Sequence, residues 1–199
     1  LWRESAAVAQ GALVLWVDVV RAADAVLHPA FNIALPAPEP FEIRLILFET
    51  RMLRKHGTVR AIDPYVRVFL RGCDGGSEQM QETDVHWGVL DGTATFNWRF
   101  IFKLTLPLAT RRSLEGIYLD VQAWDRTVLG EDELLSGGVI PLSSLCRSAW
   151  LSREWLKSSE STATAGEVAC TVELMPASVA KKIIAGYGRD PPNRNPVLP

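Results

Sequence analysis

The sequence predicts an all-β fold, an eight-stranded antiparallel β-sandwich. Eight apolar or alternating segments of strand length follow one another: 12–20, 41–50, 63–72, 82–87, 93–106, 116–124, 134–142 and 166–174. Turn chemistry separates them, with Asp91-Gly92 the strongest dipeptide and "CDGGSEQ" (73–79) another turn. Strong helical patterns are few. A barrel is the alternative closure.

"ESAAVAQ" (4–10) is rich in helix formers, so residues 1–11 read as a helical flank. "ALVLWVDVV" (12–20) is β-branched and apolar and reads as a buried first strand. Pro29, Pro36, Pro38 and Pro40 forbid a ladder through 21–40, which becomes a long connection. In "FEIRLILFET" (41–50), Phe41, Ile43, Leu45 and Leu47 share one face. "DPYVRVFLRG" (63–72) sets Val66, Val68 and Leu70 against Tyr65, Arg67, Phe69 and Arg71, so both arginines share a face. "SSLCRSAWLSREWLKSS" (143–159) has mixed spacing and suits a short helix. The last strand closes the sandwich near residue 176, and 177–199, rich in proline and asparagine toward its end, reads as an extended polar tail.

Composition removes several function classes. A formal net charge of -2 gives no global attraction for nucleic acid. The three cysteines, Cys73, Cys146 and Cys170, show no C-x-x-C pair and suit a reducing compartment. No apolar run reaches the length of a membrane span. There is no H-E-x-x-H, no G-x-S-x-G and no P-loop, so the reading is not of an enzyme.

Two features carry chemistry. Asp63, Asp125 and Asp132 fall in loops at strand ends, where carboxylates from separate loops can meet a calcium ion; as turn formers they need no ion. "RMLRKHGTVR" (51–60) places Arg51, Arg54, Lys55 and Arg60 beside Met52 and Leu53. Cations interleaved with apolar side chains suit an anionic membrane surface, at about 1 kcal/mol per basic residue; a solvated basic loop balanced by acids is the bland alternative. Arg67, Arg71 and Arg99 form a candidate second basic face.

"LVLWVDVV…PAFNI…PEPFEIRLILFET", "DPYVRVFLRG", "ETDVHWGVLDGTATFNWRFIF" and "YLDVQAWDRTVLGEDELLSG" resemble the last C2 domain of the ferlins, and "GYGRDPPNRNPVLP" the stretch before their C-terminal anchor. The resemblance implies a C2 domain of type II topology over residues 12–176, on the cytosolic face of a vesicle or plasma membrane. It implies a soluble fragment of a tail-anchored protein of membrane fusion and exocytosis. Calcium-binding C2 domains use five acidic positions. Asp63, Asp125 and Asp132 match three of them, Thr127 stands where a fourth acid belongs, and the basic first loop lacks the other. Losing two carboxylates weakens attraction for a dication, so Ca2+ binding is expected to be weak or lost.

The expected function is therefore largely calcium-independent docking on anionic phospholipid. Arg51, Arg54, Lys55, Arg60, Arg67 and Arg71 meet headgroups, while Met52 and Leu53 insert. The alternatives are a protein-interaction module packing on other domains of the same protein, or a calcium-dependent membrane sensor.

Overall fold

Strand β1 (Glu39–Arg51) is central, paired antiparallel with β4 (Ala94–Leu106) on one edge and β8 (Glu167–Pro176) on the other. The structure, a computed structural model, describes residues 15, 17–28, 34, 37–54, 60–73, 79–107, 109, 112–147, 154–157 and 166–189. Residues Pro36–Pro199 form one unit and Leu1–Leu35 another. The first contains two four-stranded sheets, ordered β4-β1-β8-β7 and β3-β2-β5-β6. The remaining strands are β2 (Pro64–Arg71), β3 (Gln79–Glu82), β5 (Tyr118–Asp125), β6 (Glu133–Pro141) and β7 (Glu154–Lys157). The first and last strands, β1 and β8, are neighbours in one sheet.

Alternation builds the core. Phe41, Ile43, Leu45 and Leu47 of β1 point inward, and the register sets Ile43 against Phe102 and Leu45 against Phe100. The other sheet supplies Val66, Val68 and Leu70 from β2, and Leu119, Val121 and Ala123 from β5. A bulge between Leu47 and Glu49 interrupts both ladders of β1, and Asn97 nearby has a φ of 47°.

The free edge of β4 is covered by side chains. Gln79 donates to the Lys103 carbonyl (2.6 Å) and accepts the Lys103 amide (3.2 Å). Gln81 donates to the Ile101 carbonyl and accepts its amide at 3.3 Å. Each carboxamide thus imitates a strand residue on an edge that would otherwise be open. Gln81→Leu is expected to cost about 1–2 kcal/mol of unfolding free energy, because a donor and an acceptor lose their partner together. Urea melts check this, and a loss within experimental error would refute it.

Three expectations change. Leu15 and residues 17–20, the described part of 12–20, carry no strand, and Val17, Val19 and Val20 are exposed. An apolar run makes a strand only where it pairs, and no ladder among the described residues includes these positions. The eighth strand is instead β7, inside the segment that suits a helix; that segment begins with a 3-10 helix, Leu142–Arg147. The strand expected at 82–87 sits earlier, at Gln79–Glu82, and the helical flank 1–11 lies outside the described residues. In the N-terminal unit a 3-10 helix spans Ala22–Leu27.

Nor is 177–189 an extended tail. After a short helix, α1 (Ala177–Ala180), the chain returns along the outer face of the β4-β1-β8 sheet, held by arginines acting on its carbonyls. Arg44 donates to the carbonyls of Ala180 (3.1 Å) and Ile183, and Arg99 to that of Gly188 (2.8 Å). Arg189 in turn donates to the carbonyls of Thr95 (3.1 Å) and Phe96. Gly188, at a φ of +49°, lies against Trp98; a Cβ there would meet the ring at 2.9 Å. Residues 190–199 lie outside the described residues.

Candidate functional site

Strands β1, β3 and β5 end where β2, β4 and β6 begin, so their three connections meet at one end of the sandwich. Asp63 ties these loops together. Its amide donates to the Asp125 carboxylate (2.7 Å), its carboxylate accepts the Gly88 amide (2.7 Å), and its carbonyl accepts the Arg126 amide (3.0 Å). The β1–β2 and β3–β4 loops are also joined by a bridge between Ile62 and Val89 and by the Leu53 amide on the Gly92 carbonyl (3.2 Å). Gly92 has a φ of +72°, and a Cβ there would lie 2.1 Å from the Leu53 carbonyl oxygen. Only glycine permits that approach.

Asp132 is held as firmly. It accepts the Tyr65 hydroxyl (2.6 Å) and the Thr127 amide (3.0 Å), with Arg126 at 3.4 Å and Arg67 at 3.6 Å. The Tyr65 hydrogen bond, then the Thr127 amide, lower the Asp132 pKa, and the two guanidinia add to this. Burial, followed by the same hydrogen bond, raises that of Tyr65. Both guanidinia also lie over the Tyr65 ring, Arg126 at 4.4 Å and Arg67 at 5.0 Å from its centroid.

These residues do not fit a calcium ion. Calcium takes six to eight oxygens. Here the carboxylates of Asp63, Asp125 and Asp132 accept N–H and O–H groups, and cations already flank Asp132. Thr127, expected to offer a neutral oxygen, turns its amide N–H to Asp132. Among the described residues no group of three or more His, Cys, Asp or Glu side chains is arranged to hold a metal.

The basic and apolar candidates separate into distinct environments. Met52 is exposed at a φ of 55°. Leu53, expected to insert in a bilayer, is instead 2% exposed and part of the core. The left-handed turn at Met52 carries the chain inward, where Leu53 packs close to Gly166. Arg51 pairs with Glu49, and Arg54 and Arg60 are exposed. Lys55 lies outside the described residues.

On the outer face of β2 the arginines are matched by acids. Arg67 pairs with Glu82 (3.0 Å), and Arg71 with Asp120 (3.1 Å) while stacking on Phe69 (4.5 Å). Arg67 also lies 5.1 Å from the Trp124 ring centroid. Arg99 does not join them. It is buried on the opposite sheet beneath Gly188, so the three arginines make no continuous basic face.

Four residues that sequence reasoning passed over complete the loop end. Trp87 (64% exposed) and Leu90 (83%) come from the β3–β4 loop, and Val128 (80%) and Leu129 (91%) from the β5–β6 loop. The available signal was apolar residues set within turn chemistry, "HWGVLDG" and "TVLG". His86, next to Trp87, packs edge-on to Phe96 (4.5 Å between centroids) and lies 3.2 Å from Arg189. Burial lowers its pKa. No helix among the described residues is long and apolar enough to cross a membrane.

A family model described as C2 domain matches residues 42–158. The chain is similar to Ferlin 1 of Toxoplasma gondii, 27% identical over 100% of this chain and 14% of that protein. It is also similar to Myoferlin of Homo sapiens, 26% identical over 96% of this chain and 12% of the relative. It therefore spans only a small part of the curated relatives it matches. Among solved structures, the paired C2 domains of Extended-Synaptotagmin 2 match with a TM-score of 0.55 at 18% identity, covering 87% of this chain and 52% of that one. Human GIVD cytosolic phospholipase A2 matches with a TM-score of 0.51 at 18% identity, over 68% of this chain and 17% of the enzyme. At these identities the structural likeness concerns the fold.

Proposed function

Because this chain belongs to the C2-domain family and is ferlin-like in sequence, we propose that it is a non-catalytic module that docks on anionic phospholipid bilayer through its three loops, without calcium. The observation that supports this is the set Met52, Trp87, Leu90, Val128 and Leu129, all exposed, from three loops at one end. Scattered exposed apolar side chains need no explanation, but a cluster on converging loops does. Arg54 and Arg60 belong to the same end and would meet headgroup phosphates.

The energetics suffice. Apolar burial returns roughly 25 cal/mol per Å² and each cation about 1 kcal/mol. Partial insertion of these side chains then reaches the roughly 8 kcal/mol of micromolar binding. In this reading the domain acts at the cytosolic face of a vesicle or plasma membrane, as the anchor-proximal C2 domain of a longer protein in vesicle fusion. Cosedimentation with vesicles containing phosphatidylserine tests it. Equal pelleting in EGTA and in calcium is expected, with little pelleting on phosphatidylcholine alone. No pelleting in either condition would end the reading.

One observation favours a second reading. The acid-paired, aromatic-stacked arginines Arg67 and Arg71 make the β2–β5 face electrically balanced rather than cationic. Such a face suits packing against another domain of the same protein better than a lipid surface. The two uses are compatible, since face and loops are separate.

A further inference from the structure

We propose that Arg126 is the resident cation of the loop end, bridging β3 to the β5–β6 loop as a bound dication would and fixing the docking loops at any calcium concentration. Its backbone is already anchored, with the amide on the Asp63 carbonyl at 3.0 Å. Its guanidinium reaches Asp132 at 3.4 Å through one nitrogen and Glu82 at 3.6 Å through the other. The plane of contact is completed by the Tyr65 ring, 4.4 Å from the guanidinium carbon. Tyr65 donates to the same Asp132 oxygen that Arg126 approaches, and the Thr127 amide serves the other oxygen.

The charge balance supports the assignment. Glu82 and Asp132 are the acids of this cluster, and Arg67 and Arg126 the cations beside them. The cluster is neutral with no metal present. A dication would have to displace a guanidinium tethered to the adjacent backbone, whose local concentration is of millimolar order or higher. Of the acids at this end, Asp132 is matched to the Arg126 side chain, while Asp63 and Asp125 accept backbone amides.

Amide hydrogen exchange over 126–132 and vesicle cosedimentation, each in EGTA and in about 1 mM calcium, test the proposal on wild type, Arg126→Ala and Arg126→Lys. Wild type is expected to show the same protection in both conditions. Arg126→Ala should lose about tenfold in protection of the Thr127 amide in EGTA, with calcium restoring part of it once Glu82 and Asp132 keep only Arg67 beside them. Arg126→Lys should retain part, as a point charge without the planar fork. Arg126 is partly exposed and outside the core cluster, so the cooperative melt should persist; Arg126→Gln is the substitute if the alanine variant fails to fold. Arg126→Ala as protected as wild type in EGTA would overturn the proposal. So would wild type gaining protection with calcium, or a variant that calcium does not rescue. Only the cosedimentation arm rests on the docking reading. If wild type binds no vesicles while the exchange results hold, docking fails and the resident cation stands.

Discussion

Replacing Trp87 and Leu129 together by serine is expected to weaken binding to phosphatidylserine vesicles by roughly 10- to 100-fold while leaving the fold intact. Each side chain is worth about 1.5–3 kcal/mol when fully removed from water, and partial insertion realises about half. Two such losses total roughly 1.5–3 kcal/mol, at 1.4 kcal/mol per tenfold. Trp87 and Leu129 are 64% and 91% exposed and take no part in the core cluster, so the melting temperature should barely move. Leu53 supplies the contrast. It is an apolar residue of the same end, yet 2% exposed, and Leu53→Ser should lower stability rather than selectively impair docking. Vesicle titrations beside thermal melts separate the two effects. If the double variant binds as tightly as wild type, the loop tips are not the membrane contact.

The Leu53 and Met52 pair also shows what sequence can and cannot reveal. Adjacent residues of similar hydrophobicity lie on opposite sides of the surface, decided by a left-handed turn at Met52 and a backbone contact with Gly92. Neither is written in local composition. Strand alternation was legible because period two is local. The inward set Ile43, Leu45 and Leu47 and the β2 set Val66, Val68 and Leu70 are those expected. The common loop location of Asp63, Asp125 and Asp132 was legible too, through the motif they share. Their partners were not: Gly88 lies 25 positions from Asp63, and Tyr65 lies 67 from Asp132. Pairing at that range follows from how strands are ordered in the sheets. The basic face at Arg67 and Arg71 was overestimated for the same reason, since Glu82 and Asp120 arrive from other strands. The segment 12–20 misled because hydrophobicity does not supply a strand to pair with.

The strap over residues 181–189, absent from any local pattern, leads to the largest expected loss of stability. Arg44→Met should destabilise the sandwich by about 3–5 kcal/mol, because it removes one partner from a buried ionic cluster. Arg44 is 7% exposed and bonds Glu42 at 2.7 Å as well as the carbonyls of Ala180 and Ile183. Opposite it in register stands Glu173, whose pKa burial raises and Arg44 partly holds down. A carboxyl with a raised folded-state pKa contributes most stability below its unfolded value and loses that contribution as pH rises through the folded value. Without Arg44 the Glu173 pKa rises further, so this loss extends to higher pH. The penalty of Arg44→Met should therefore be larger at neutral pH than near pH 5, where more of the uncompensated carboxyl is protonated. At 2–4 °C per kcal/mol, the melting temperature should fall by roughly 6–12 °C for a 3 kcal/mol loss. Melts at both pH values decide it. A penalty below about 1 kcal/mol, within the range of an exposed pair, would show that Arg44 does not hold the strap. A penalty that grows on acidification would show that Glu173 is not the group Arg44 compensates.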